Sequence, residues 1–222
     1  HAGNFLADQG YFVITFNFSL NGVGESLTEF DELDKFAKNT FTREFEELEL
    51  VIDSYRSGFF GEMDNDKIGL LGHSRGGADA LLTAYQKPEI DALATWASIA
   101  KLDRYSERQK KEWREQGYWE IENARTKQIM RLNVELLEDI ETNSDSHLNL
   151  EKAVKNLKKP LLIAHGEEDL AVPVREAEKL YEWADKELTE LYKISSVGHT
   201  FNIKHPFEGT NDNFNKLLDK TT

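Results

Sequence analysis

Gly72-His73-Ser74-Arg75-Gly76 lies directly between a short apolar run, Ile68-Gly69-Leu70-Leu71, and an Ala/Leu-rich stretch from Ala78 to Tyr85. The order is strand, sharp turn, helix. In that setting a G-x-S-x-G sequence puts its serine in a strained turn that only flanking residues without bulk tolerate, so the hydroxyl projects above the end of a sheet. A further glycine, Gly77, sharpens the pattern. The plainer alternative is a Gly-rich strand-to-helix turn that carries no chemistry.

The chain has 222 residues, 39% of them hydrophobic, which is enough for one sizeable core, and no linker-like stretch divides it. One domain over residues 1–222 is expected. Lys and Arg total 27 against 41 Asp and Glu, a net charge of -14, which repels phosphate backbones and anionic lipid surfaces. Nucleic-acid and membrane partners are therefore not expected. No apolar run approaches the length of a bilayer span, and there is no internal repeat, so a soluble protein is the expectation. A cytoplasmic location is expected as well, with no sequence signal behind it. With no cysteine, disulfides, thiolate metal ligands and a thiol nucleophile are excluded.

Tyr11 to Phe18 (YFVITFNF) is aromatic and β-branched, closes on Asn21-Gly22-Val23-Gly24, and reads as a strand. From Thr42 to Tyr55, Phe45, Leu48, Val51, Ile52 and Tyr55 recur at helical spacing among acids, the pattern of an amphipathic helix on a sheet. Strands follow at Lys67 to Gly72, Asp91 to Ala100, Leu161 to His165 and Glu190 to Ser195. Helices are expected at Ser74 to Tyr85 and Val174 to Lys186. Alternating strands and helices predict a mainly parallel α/β sheet with helices on both faces. Residues 102–159 break the rhythm: they are highly charged, mostly helix-like and without a convincing strand. They read as a helical, lid-like insertion anchored by Trp113, Tyr118 and Trp119, or as a surface excursion that touches no substrate.

A serine hydroxyl is a poor nucleophile at neutral pH unless a base takes its proton, and that base needs a third group to fix its tautomer. Leu161-Leu162-Ile163-Ala164-His165 runs into Gly166-Glu167-Glu168-Asp169, with Val172-Pro173 opening the next helix. About thirty residues further, after the last strand, comes Gly198-His199. Ser74, Asp169 and His199 thus each stand at the C-terminal edge of a strand, the edge at which open parallel sheets bind ligands. Glu167 and Glu168 compete with Asp169 as the acid, and His205 competes with His199 as the base. His73 reads as a structural residue of the turn, His165 as a strand-end residue bonded to backbone, and His1 and His147 as solvated. The histidines show no metal-ligand spacing, and acidic runs such as Glu44-Phe45-Glu46-Glu47 read as wet helix faces.

On Gly72-His73-Ser74-Arg75-Gly76-Gly77, His165-Gly166-Glu167-Glu168-Asp169 with Val172-Pro173, and Gly198-His199, the chain resembles the α/β-hydrolases. The likeness is to the serine esterase and dienelactone-hydrolase-like group that includes feruloyl and cinnamoyl esterases, and it runs over essentially the whole chain. The resemblance implies Ser74 as nucleophile, His199 as general base and then acid, Asp169 as its orienting carboxylate, and the backbone N–H of Arg75 as one oxyanion donor. It implies hydrolysis of a small-molecule carboxylic ester with no cofactor. Peptidase or amidase activity of the prolyl-oligopeptidase type, or a binding protein that kept only the fold, are the alternatives. Trp113 and Trp119 are candidates to line a substrate pocket, as is Trp96, for which core packing is an equal reading.

The family's sheet carries strands ahead of Tyr11, including the one whose loop supplies a second oxyanion N–H. None is found here, and Asn4 to Gln9 reads as the tail of the helix that follows such a loop. The chain is thus expected to be a piece of a longer one. A single missing oxyanion donor lowers turnover on the order of a hundred- to a thousandfold.

Overall fold

A computed structural model describes residues 1–26, 28–61 and 66–222. In chain order its elements are α1 (Ala2–Asp8), α2 (Leu33–Ala37), α3 (Phe41–Arg56), β1 (Ile68–His73), α4 (Arg75–Gln86) and β2 (Ile90–Trp96). They continue with α5 (Glu107–Gln116), β3 (Tyr118–Glu122), β4 (Ile129–Asn133), α6 (Val134–Asn143) and α7 (Leu150–Asn156). The last are β5 (Leu161–Gly166), α8 (Arg175–Trp183), β6 (Thr189–Ile194) and α9 (Asp212–Thr221). The contacts among them group the chain into two compact units. The first takes the described residues of His1–Phe16, Met63–Lys101 and Leu150–Thr222, and the second those of Asn17–Glu62 and Leu102–Asn149.

The first unit is built on a parallel sheet of order β1-β2-β5-β6. His73 pairs with Trp96, Trp96 with Ala164, and Gly166 with Ile194, so the ends of all four strands meet along one edge. Helix α4 packs on β1 and β2, α7 on α4, and α8 on β5 and β6. The middle of α4 is an unbroken buried run from Gly77 to Ala84, in which Leu81 and Leu82 are packed out of solvent among small Gly and Ala residues. Helix α9 adds Phe214, Leu217 and Leu218 to a cluster with Trp96, Ala97, Ala164, Ile194, Val197 and Phe201. Trp96 is therefore a core residue, only 6% exposed, and its indole N–H donates to Thr221 Oγ1 at 3.1 Å.

In the second unit, α3 starts at Thr40, whose side chain accepts the Arg43 N–H, and buries Phe41, Phe45, Leu48 and Ile52 along one stripe. Helix α6 contacts it, and Thr42 N donates to Asp139 Oδ2 at 3.0 Å. Helix α5 opens with a reciprocal Ser106/Gln109 cap and closes on Gly117 in the left-handed region. Trp113, on α5, is completely buried, with its ring 4.8 Å from that of Tyr105. The Lys110 ammonium, 7% exposed, sits 2.6 Å from Asp103 and within 3.4 Å of Glu107 and Glu141.

Three expectations are corrected. Tyr11 to Phe18 forms no ladder with any described residue. Its composition suits a strand, but a strand exists only through a neighbour, and β1 pairs on one side alone, with β2. The insertion is not purely helical: β3 and β4 form an antiparallel hairpin with Glu120 opposite Arg131, joined at 3.1 Å, and the Arg131 guanidinium over the Tyr118 ring at 4.4 Å. Alternation of apolar and charged residues in Tyr118 to Glu122 was the signal, masked by the charge of the region. Finally, Glu44 is buried against Asn39, and His147 is half-buried on Thr42 Oγ1 at 2.7 Å, so neither is a solvated surface group.

Leu81 has no exposed surface, so Leu81→Ala should lower the free energy of unfolding by about 2–5 kcal/mol. Leu50→Ala, on a residue 64% exposed, should change it by less than about 0.5 kcal/mol. Denaturant titrations of both variants check the pair.

Candidate active site

Ser74 follows β1 with φ 56° and ψ −120°, a left-handed backbone for a residue with a side chain. Its N–H donates to Trp96 O at 2.8 Å and its carbonyl accepts from Gly77 N at 3.1 Å, so the turn is fastened to the neighbouring strand and to the helix it starts. The glycines of the turn differ in purpose. A Cβ at Gly72 would stand 2.1 Å from Gly76 O, and one at Gly77 would stand 2.5 Å from Ser98, whereas Gly76 has open space around it. The Arg75 N–H opens α4 beside the serine, where the first amides of a helix lack partners within it.

Asp169 lies just past β5 with its side chain fully buried. Its Oδ1 accepts from Ala171 N at 2.9 Å and Val172 N at 2.8 Å, and its Oδ2 faces His199 Nδ1 at 2.7 Å. A carboxylate only accepts, so Nδ1 carries the proton and Nε2 is the imidazole's free lone pair. Glu167 and Glu168 are exposed, as is His205, and the bond to His199 falls to Asp169. What brings the two loops together is a close backbone approach: Glu167 N donates to Ile194 O and Glu168 N to Val197 O, and a Cβ at Gly166 would lie 2.3 Å from Val197 O.

His73 fastens the same loop from the other side, its Nε2 donating to His199 O at 2.9 Å with the two rings 4.7 Å apart. The residue keeps an exposed edge, yet its ring lies against His199 and Phe201. The resulting loss of water, before any charge effect, holds its pKa below the usual imidazole range. His165, with no exposed surface, donates from Nε2 to Val172 O at 2.7 Å, the strand-end backbone bond expected from sequence. Burial is also the main cause that lowers its pKa, against the opposing pull of the Val172 carbonyl and Asp169.

Ser74, Arg75, Asp169 and His199 all lie in the first unit, and Trp113 and Trp119 in the second. Trp113, buried entirely, offers no surface to a substrate and is a packing residue, while Trp119 on β3 is half-buried. The bond from His73 to the His199 carbonyl had no signature in sequence beyond adjacency to Ser74. Among the described residues no group of three or more His, Asp or Glu is placed to hold a metal ion, and no helix is long and apolar enough to cross a membrane.

A parallel sheet flanked by helices, with a left-handed serine between β1 and α4 and an Asp–His pair beyond β5 and β6, defines an α/β-hydrolase. More narrowly, the chain belongs to the prolyl oligopeptidase family, which it matches over residues 1–202. Among curated proteins it is similar to the 2,6-dihydropseudooxynicotine hydrolase of Paenarthrobacter nicotinovorans, 29% identical over 107 residues. That match takes in 47% of this chain, and the chain spans only 25% of the relative's length. Among solved structures it is similar to Est1E of Butyrivibrio proteoclasticus with ferulic acid bound, at TM-score 0.61 and 20% identity, covering 84% of this chain and 68% of that one. The metagenome-derived lipolytic enzymes LipS and LipT give TM-score 0.66 and 16% identity over 99% of this chain and 83% of that chain.

Because folded His165 resists protonation, the unfolded chain binds a proton more readily as the pH falls below about 6.5. Relative to His165→Gln, the wild-type protein should then lose stability by up to about 1.4 kcal/mol per pH unit, down to the folded-state pKa. Unfolding titrations between neutral pH and pH 4 would measure the difference.

Proposed function

We propose that this chain is a serine hydrolase that cleaves carboxylic esters through an acyl-serine intermediate. The observation that carries the reading is the His199 Nδ1 to Asp169 Oδ2 bond of 2.7 Å at the sheet edge where Ser74 is held at positive φ. Ser74 Oγ attacks the ester carbonyl carbon while His199 Nε2 takes its proton, and the Arg75 N–H donates to the oxyanion that forms. The C–O bond to the alcohol breaks as His199 returns the proton to the leaving oxygen. Water, deprotonated by the same imidazole, then attacks the acyl carbon, and Ser74 leaves with its proton restored. Asp169 keeps the imidazole in the tautomer whose Nε2 is a base. Small aromatic esters are favoured as substrates by the likeness to the structure of Est1E with ferulic acid bound.

Peptide or amide hydrolysis is the second reading, favoured by the family to which the chain belongs. It uses the same residues with an amine as the leaving group. A panel of a p-nitrophenyl ester, a methyl hydroxycinnamate and a peptide anilide separates the two. The esters should turn over at least about tenfold faster in kcat/KM than the anilide, given the better leaving group. Ser74→Ala should lower kcat on the esters by at least about 10⁴-fold. Ester turnover by Ser74→Ala at the wild-type rate would refute the assignment.

A further inference from the structure

Outside the proposed nucleophile, base and acid, one buried polar group of the first unit is His165, at the end of β5. It is completely buried, yet its Nδ1 has no hydrogen-bond partner among the described residues. An imidazole with an orphaned buried nitrogen is a poor packing residue, since a leucine or phenylalanine would fill a strand position without leaving an acceptor unsatisfied. Its other nitrogen explains its presence. Nε2 stands 2.7 Å from Val172 O and 3.4 Å from Asp169 Oδ2, the same oxygen that receives the His199 proton. Val172 is held twice: its carbonyl accepts from His165, and its N–H donates to Asp169 Oδ1. The 169–172 turn is thereby closed from both sides around the carboxylate.

We propose that His165 is a positioning residue that, through its Nε2–H on Val172 O and beside Asp169 Oδ2, fixes Asp169 in the orientation that receives the Nδ1–H of His199. The Val172 carbonyl only accepts, so Nε2 must carry the proton, and burial discourages a second proton on Nδ1. His165 is therefore a neutral donor aimed at the turn, and it touches none of the reacting atoms. The inference deepens the esterase reading and rests on it for its kinetic consequences, while the Asp169–His199 bond can be observed independently.

The two amide replacements of histidine separate the two ring nitrogens. Glutamine places its N–H₂ where Nε2 stands, whereas asparagine reaches only the position of Nδ1. In the whole chain, His165→Gln should keep the far-downfield proton NMR signal of the His199–Asp169 bond, together with the rate of Ser74 modification by diisopropyl fluorophosphate. His165→Asn and His165→Leu should lose or displace that signal. Both should also label Ser74, and turn over esters in kcat, on the order of ten- to a hundredfold more slowly with KM little changed, the scale expected for a slightly misplaced catalytic group. Should His165→Leu fail to fold, the Gln and Asn variants carry the comparison by themselves. A wild-type signal and labelling rate in His165→Asn, or equal losses in His165→Gln and His165→Asn, overturns the proposal. If wild-type protein takes no label at Ser74 but the Gln/Asn contrast in the NMR signal persists, the positioning role stands and the esterase reading falls.

Discussion

A carboxylate with no exposed side-chain surface is tolerated only when its lone pairs are used, and Asp169 is such a group. Two backbone amides of its own turn and the imidazole of His199 satisfy it. The first two bonds need a tight turn after β5, and the third needs the loop after β6 to come within bonding distance. Gly166 makes that possible, because any side chain there would collide with the carbonyl of Val197. The parallel pairing of β5 with β6, from Leu161 opposite Thr189 to Gly166 opposite Ile194, sets both loops at the same height. Sheet register, one glycine and one buried charge thus form a single arrangement.

Strain gathers at the same edge. Ser74, Ala97 and Ser196 all have positive φ and each stands one or two residues beyond a strand of the parallel sheet. Left-handed backbone is unfavourable for residues with a Cβ and survives where the surroundings over-determine it. At Ser74 the fastening is the bond to Trp96 O, and at Ala97 it is the corresponding bond to Ala164 O at 2.8 Å. The core beneath, where Trp96 and Phe201 meet edge to face, is rigid enough to hold these turns. Strained turns on a packed base are how a sheet presents side chains at fixed positions instead of burying them.

Local patterns made most of the first unit legible. Apolar or β-branched runs bounded by turn signals announced β1, β2, β5 and β6, although the run from Asp91 to Ala100 passes the end of β2 at Trp96, and the glycines around Ser74 announced the geometry of its turn. Legibility failed where the outcome depended on partners distant in sequence. Tyr11 to Phe18 has every propensity of a strand yet joins no ladder among the described residues. The β3–β4 hairpin, in contrast, has a weak and charged sequence but finds its partner across a short turn. For the site, the family resemblance put Asp169 ahead of two neighbouring glutamates, but no pattern in the sequence revealed that His73 Nε2 bonds the His199 carbonyl or that His165 Nε2 lies 3.4 Å from Asp169 Oδ2. An aromatic residue in a charged segment reads equally well as a ligand contact or as the anchor of a small core, and Trp113, fully buried, is the anchor.

An acyl group that passes through Ser74 is the central consequence of this arrangement. Rapid-quench mass spectrometry of the protein mixed with a p-nitrophenyl ester, followed by peptide mapping, tests this directly. The predicted result is a mass increment of one acyl group on the peptide containing Ser74, formed in step with the release of p-nitrophenol and then lost to water. Steady ester turnover with no increment, or with the acyl group on another residue, would contradict it.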